Sequence, residues 1–256
     1  MFPLSDDNPQ LHPPVMTYVI LGGILASWVF AQGAGFDPVR LATSVCNLGM
    51  VPGELTHRAA LGTAVPIGPG LACVVDNYPI NLLTPLTSMF LHGGWAHLLG
   101  NSLFFWVFGN NVEDSMGHAR FLAFYLICGL AAAAVHVAVD SASPVPTVGA
   151  SGAISGIMGA YLVLYPHVRV KMLIPIIIIP YIVKVRAWVV LIWWFALQVL
   201  SGLPQLMALR PEVSGGVAVW AHVGGFVAGV VLIRFFEDKE LVRRRRAVAD
   251  ARGTFT

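Results

Sequence analysis

The chain has 256 residues, of which 57% are hydrophobic and only 11% charged, with a formal net charge of +2. A soluble domain carries about a quarter charged residues, so this composition excludes an ordinary soluble fold and describes an all-α polytopic membrane protein. So small a net charge argues against a nucleic-acid partner and leaves the lipid bilayer as the partner the composition itself names.

Residues 1–14 read as a polar, proline-rich N-terminal tail with Asp6 and Asp7 and no basic stretch. Nothing there has the pattern of a cleavable signal, so the first span is expected to target the chain. A helix needs roughly 20 apolar residues to cross the hydrocarbon. Val15–Gln32 meets that length and is the first predicted span. A long loop follows, from about residue 33 to residue 92, rich in proline and glycine but apolar in its body. A connector of that length is expected to fold into interfacial helices. It holds Cys46 and Cys73, for which the topology below allows a disulfide, although their spacing alone does not specify one. The third cysteine, Cys128, lies within an apolar run and reads as packing.

The second span is expected at Trp95–Val112, the third at Phe121–Val139 and the fourth at Ser151–Tyr165, ended by Pro166. The fifth runs from about Ala187 to Leu203 and the sixth from Val217 to Phe236. Met172–Val183 is apolar but holds Pro175 and Pro180 within 12 residues. As a helix it would cover ~18 Å of a ~30 Å core, so it reads as interfacial or re-entrant. The choice matters: counted as a span, it would put Ser151 and His222 on opposite membrane faces. Residues 15–236 thus form one membrane domain, and residues 237–256 a basic C-terminal tail.

Lysine and arginine in short loops set orientation. Arg169, Lys171, Lys184 and Arg186 lie between spans four and five, and Lys239, Arg243, Arg244, Arg245, Arg246 and Arg252 follow span six. With six spans these groups share one face, expected to be cytoplasmic, with both termini inside. Arg40 and Arg58 in the first loop are too few to reverse that bias.

Spans two, four and six then enter from the outer face. His97 and Asn101 fall in the first two turns of span two, Ser151 begins span four, and His222 lies ~8 Å into span six. Four polar groups converge on one layer. Span four covers only ~22 Å, so Ser151 can sit below the surface at the foot of a wet cavity. Each residue also has a plainer reading. Ser151 would serve as a small packing residue or a helix cap, His222 as a hydrogen bond to a neighbouring helix, and His97 and Asn101 as polar contacts between helices.

The catalytic reading joins them. A histidine within a span is costly, and a serine to deprotonate is one use for it. The start of span four offers free backbone N–H groups to an oxyanion. Gly149 and Gly152 flank the serine and leave room for a substrate backbone. Ala221, Gly225 and Gly229 form a small-residue stripe at four-residue spacing, answered by Gly152, Gly156 and Gly159 on span four, so the two helices can approach closely. Asn101 and His97, one turn apart, would donate to the oxyanion. His92 reads as solvated or as ordering the loop, with no catalytic role. No carboxylate lies in the apolar part of spans two, four or six, because Glu113 and Asp114 fall at the far end of span two. A Ser–His dyad is therefore expected. His57, His118, His136 and His167 lack metal-ligand spacing, and neither HExxH nor CxxC occurs, so no metal site is expected.

Three motifs occur in order: Phe90-Leu91-His92-Gly93-Gly94-Trp95-Ala96-His97-Leu98-Leu99-Gly100-Asn101, then Gly149-Ala150-Ser151-Gly152, then Ala221-His222-Val223-Gly224-Gly225. Over about Leu83 to Arg234 the chain resembles the rhomboid family of intramembrane serine proteases, most closely its prokaryotic six-helix members. The resemblance implies a six-transmembrane-helix rhomboid fold with no cofactor, in a bacterial inner membrane. It implies Ser151 as nucleophile, His222 as general base, and His97, Asn101 and the Ser151 N–H as the oxyanion hole. Substrates would be single-span membrane proteins. By the same analogy, Leu203 to Gly216 and the top of span five would gate substrate access. Two departures are visible. Ser155 stands where many members stack an aromatic ring on the histidine, and Leu83-Thr84 stand near the place of a Trp-Arg pair. Neither removes a catalytic group, and the brace on His222 is left unassigned.

Two other function classes were weighed. A non-catalytic relative that binds membrane proteins would not need both Ser151 and His222. A transporter or channel would favour paired charges near the bilayer midplane, and none is evident.

Overall fold

The computed structural model describes residues 2–176, 179–206 and 218–251. It is mainly helical. In chain order the elements begin with strand β1 (Phe2–Asp6), helix α1 (Val15–Ala26, continued by a π-turn over Ser27–Ala31) and helix α2 (Pro38–Leu48). The short helix α3 (Pro52–Leu55), strands β2 (Ala64–Gly68) and β3 (Leu71–Val74), and the short helix α4 (Thr84–Thr87) complete the first loop. Then come α5 (Trp95–Glu113), α6 (His118–Val139), α7 (Ser151–Leu164), strands β4 (Arg169–Ile176) and β5 (Ile179–Arg186), α8 (Ala187–Leu206), α9 (Val219–Phe236) and α10 (Lys239–Ala251).

Helices occur at all six expected places, and α5 is the one that falls short of the apolar character of a span or a shorter apolar helix. Among the described residues, α6, α9 and the first 18 residues of α8 are long and apolar enough to cross a membrane, while α7 and the α1 segment are shorter apolar helices. α7 is the central element. Of its 14 residues only Ser151, Leu162 and Val163 escape burial, and it packs against α5, α6, α8 and α9. Its glycines let α9 come within backbone contact. A Cβ on Gly225 would lie 2.0 Å from the Gly152 carbonyl oxygen, and one on Gly159 would lie 2.3 Å from that of Phe226. Cys128 is buried beneath Gly156, as packing requires.

The first loop is partly the expected set of short helices and partly a β-hairpin. Asp37 caps α2 by accepting from the backbone N–H of Val39 and Arg40, and Pro38 opens the helix, a favoured N-terminal combination. A Cys46–Cys73 disulfide ties α2 to β3. Met50 and Thr147 then exchange backbone hydrogen bonds of 2.9 and 2.8 Å, stitching the loop to the segment that leads into α7.

The described residues of Met172–Val183 are extended rather than helical. They belong to the antiparallel β4–β5 hairpin, with Pro175 opposite Pro180, and β1 adds a third strand on the β4 edge. The hairpin's β-branched run of Val170, Ile174, Ile182, Val183 and Val185 favours extended chain. A hairpin returns the chain to the end of the bundle it left, so α7 and α9 run in the same direction.

The two terminal segments are docked at that end. Glu113, the last residue of α5, accepts from the backbone N–H of Met16 and Thr17 and from the Thr17 hydroxyl at 2.6–2.8 Å. It thereby satisfies donors that the first turn of α1 would otherwise leave unpaired. Arg245 of α10 has no exposed surface. Its guanidinium donates to the Asn111 carbonyl and side-chain oxygens, to the Pro9 carbonyl at 2.9 Å and to Ser115 at 3.3 Å. It also lies 3.4 Å from the Asp114 carboxylate and 4.8 Å above the Tyr165 ring. One arginine of the basic tail is therefore a buried joint rather than a solvated charge.

Candidate active site

The opposite end of the bundle holds a cavity of about 600 Å³. Ser151, His222, His97, Asn101 and Gly149 all line it. Sequence reasoning had placed these groups in one layer, and the fold brings them to one wall.

Ser151 is the first residue of α7. Ala150 precedes it in helical conformation, and no side chain caps the helix start. The backbone N–H groups of that first turn are therefore unclaimed by a cap. His222 lies one turn into α9 and is buried. Its Nε2 is 2.7 Å from Ser151 Oγ, a full-strength hydrogen bond. The glycine contacts between α7 and α9 make that distance attainable.

Gly149 meets two requirements at once. Its φ of +129° is one that residues with side chains rarely adopt, and a Cβ there would sit 2.7 Å from His97 Nε2. The missing side chain opens the cavity beside Ser151. Gly152 lines the cavity and also serves packing, since a Cβ on it would meet Ala132 of α6 at 2.6 Å. Its space is taken largely by helix packing, and so is that of Gly225 and Gly229.

His97 Nδ1 accepts from the Gly93 backbone N–H at 3.3 Å. A neutral imidazole that accepts at Nδ1 carries its proton on Nε2, the nitrogen that faces Gly149. Asn101 Nδ2 is buried and has no hydrogen-bond partner among the described residues. Two N–H donors thus point at the wall beside Ser151 without an acceptor among the described residues. A buried donor left unpaired costs stability, and the group it fits is an oxygen that arrives with a ligand.

His92 is buried rather than solvated. Its backbone is clasped by the Gln32 side-chain amide, with Gln32 Nε2 donating to the His92 carbonyl and the His92 N–H donating to Gln32 Oε1, both at 2.8 Å. That pair joins the end of the first apolar helix to the turn before α5, in keeping with a role in ordering the loop.

Sequence reasoning missed the groups that hold His222. Gln198 Oε1 lies 2.9 Å from His222 Nδ1, and the Trp194 ring centroid lies 5.7 Å from the imidazole. Both belong to α8 and stand one turn apart. Gln198 carried a signal, since an amide inside an apolar span needs a partner. Ser155, in the place where an aromatic ring was expected by analogy, instead donates its hydroxyl to the Ser151 carbonyl at 2.6 Å. The gate suggested between Leu203 and Gly216 falls mostly outside the described residues.

The Rhomboid domain family model matches residues 80–238, a stretch that contains every site residue above. The rhomboid protease GluP of Bacillus subtilis (strain 168) is 46% identical over 81 residues, 32% of this chain and 15% of that protein. RHOMBOID-like protein 5 of Arabidopsis thaliana is 38% identical over 77 residues, 30% of this chain and 25% of its own. The mitochondrial Rhomboid protein 1 of Saccharomyces cerevisiae (strain ATCC 204508 / S288c) is 25% identical over 181 residues, 69% of this chain and 48% of that one. The matched stretch is less than half of each of these relatives.

Proposed function

The chain belongs to the rhomboid family of integral membrane proteins, and from that premise we propose that it is an intramembrane serine endopeptidase acting through a Ser151–His222 dyad. The observation that carries this reading is the 2.7 Å hydrogen bond between Ser151 Oγ and His222 Nε2, made across two helices at the wall of a cavity. The names of GluP and of YdcA, the latter a putative rhomboid protease of B. subtilis (strain 168), point to the same activity.

Ser151 Oγ attacks the carbonyl carbon of the scissile peptide while its proton passes to His222 Nε2. The carbonyl oxygen becomes an oxyanion that receives the Asn101 Nδ2–H, the His97 Nε2–H and the Ser151 backbone N–H. The imidazolium then gives its proton to the leaving nitrogen as the C–N bond breaks, which frees an amine and leaves an ester on Ser151. A water molecule attacks that ester and loses a proton to His222. Return of the proton to Ser151 Oγ releases the new carboxyl terminus.

The substrate class is single-span membrane proteins, cut in or beside the transmembrane segment. In the same reading six helices cross the bilayer, residues 15–236 form the membrane domain, and both termini face the cytoplasm of a bacterial inner membrane. The positive-inside distribution of lysine and arginine supports that orientation. The test is cleavage of a tagged single-span protein by the purified chain, beside Ser151→Ala and His222→Ala. Cleavage abolished in both folded variants is the expected result. Cleavage retained in either would overturn the dyad.

A further inference from the structure

We propose that Gln198 of α8 is a positioning residue that fixes the tautomer and ring orientation of His222. The inference rests on the peptidase reading above and deepens it. A neutral imidazole has one donor and one acceptor nitrogen. To take the Ser151 proton, Nε2 must present its lone pair, so the ring proton must sit on Nδ1 and meet an acceptor. Among the described residues the two ring nitrogens meet only Ser151 and Gln198, and Gln198 presents its carbonyl oxygen at 2.9 Å. Which nitrogen of a histidine is protonated is set by the bond the other one makes. Trp194, one turn before Gln198 on α8, flanks the ring at 5.7 Å. One face of α8 thus supplies both an acceptor in the ring plane and an aromatic wall beside it.

The chemistry differs from that of a buried aspartate in a triad. An amide oxygen orients the ring and carries no full charge to stabilise the imidazolium. Among the described residues, the other titratable groups near His222 are His97 on α5 and His136 on α6, and neither supplies a negative charge. Gln198 therefore controls geometry and tautomer rather than charge. α8 is also the most exposed of these helices, with Ile192, Trp193, Leu197 and Leu200 facing outward. The orientation of His222 consequently depends on a helix held mainly from one side.

The test compares wild type, Gln198→Leu and Gln198→Glu on one cleavable single-span substrate, with kcat, KM and the pH profile read for each. Gln198→Leu should lower kcat about 10- to 100-fold, the scale of a misoriented catalytic group, with KM nearly unchanged. Gln198→Glu should restore most of that loss and move the acidic limb of the profile to higher pH, because a carboxylate favours imidazolium. Wild-type kcat in Gln198→Leu, or an unmoved acidic limb in Gln198→Glu, would overturn the proposal. Should Gln198→Leu fail to fold, the limb in Gln198→Glu still decides. A merely structural role would lower the thermal midpoint of Gln198→Leu and leave the kcat of its folded fraction unchanged. If cleavage survives Ser151→Ala, or wild type cuts nothing, the serine-dyad reading itself has failed, and that outcome is separate from any result at Gln198.

Discussion

Gly229 of α9 lies so close to Gly156 of α7 that a Cβ built on it would stand 1.8 Å from the Gly156 carbonyl oxygen. No side chain fits there without separating the two helices, because the obstacle is backbone. Helix separation is also the variable that sets the Ser151–His222 distance. Packing and chemistry meet in the same stripe of glycines.

Gly229→Val should therefore damage both. Overpacking a close contact costs about 1–3 kcal/mol, read as a fall in thermal midpoint in detergent. Peptidase activity should fall further than that of a packing variant remote from the dyad, such as Phe124→Leu, whose ring meets Phe236 at the far end of α9. Equal losses in the two would separate the glycine contact from the catalytic geometry.

Asn101→Ala isolates the oxyanion donor. Its Nδ2 bonds to no described residue, so thermal stability should change little. Removal of one oxyanion donor costs about 10²–10³ in kcat in comparable sites. Steady-state kinetics beside a thermal melt would check both halves. A large fall in the melting temperature would return Asn101 to a structural role.

Arg245→Ala tests the buried joint between the two termini and α5. Removing one member of a buried ion pair costs about 3–5 kcal/mol, because the other charge is left uncompensated. Here Asp114 keeps two backbone donors, Leu11 and His12, so the lower end of that range is expected. Faster proteolysis of the N-terminal residues should accompany the loss, since Pro9 gives up its partner.

Asp6 should make the N-terminal docking sensitive to pH. It accepts from Tyr161 at 2.5 Å and Asn111 at 2.7 Å, but burial outweighs these bonds and pushes its carboxyl up to about 6. A carboxyl raised in the folded state holds its proton more tightly there than when unfolded. Its contribution is thus complete below about pH 4 and is lost as pH rises through about 6. Stability measured at pH 4.5 and at pH 7 should differ through this group by up to about 2 kcal/mol. Asp6→Asn should flatten that difference, and an unchanged pH dependence in the variant would rule Asp6 out as its source.

Most of the helices were legible as apolar runs, and the candidate site was legible because Ser151, His222, His97 and Asn101 fall near the ends of such runs. The β4–β5 hairpin was not, since an apolar segment with two prolines has the composition of several structures until a pairing partner is known. The docked termini were hidden for a similar reason. Arg245 is one arginine in a basic cluster, and only the fold sets it against Asn111 and Asp114. Gln198 was less legible because its side chain does not titrate, and the orienting atom is an amide oxygen on the neighbouring helix.

The most direct measurement is the rate at which a fluorophosphonate labels the purified protein, with the modified residue located by mass spectrometry. The label should fall on Ser151 and be nearly abolished in His222→Ala, because only a serine deprotonated by its histidine attacks phosphorus quickly. Label absent from Ser151, or present at an undiminished rate without His222, would contradict the assignment of these two residues as a catalytic dyad.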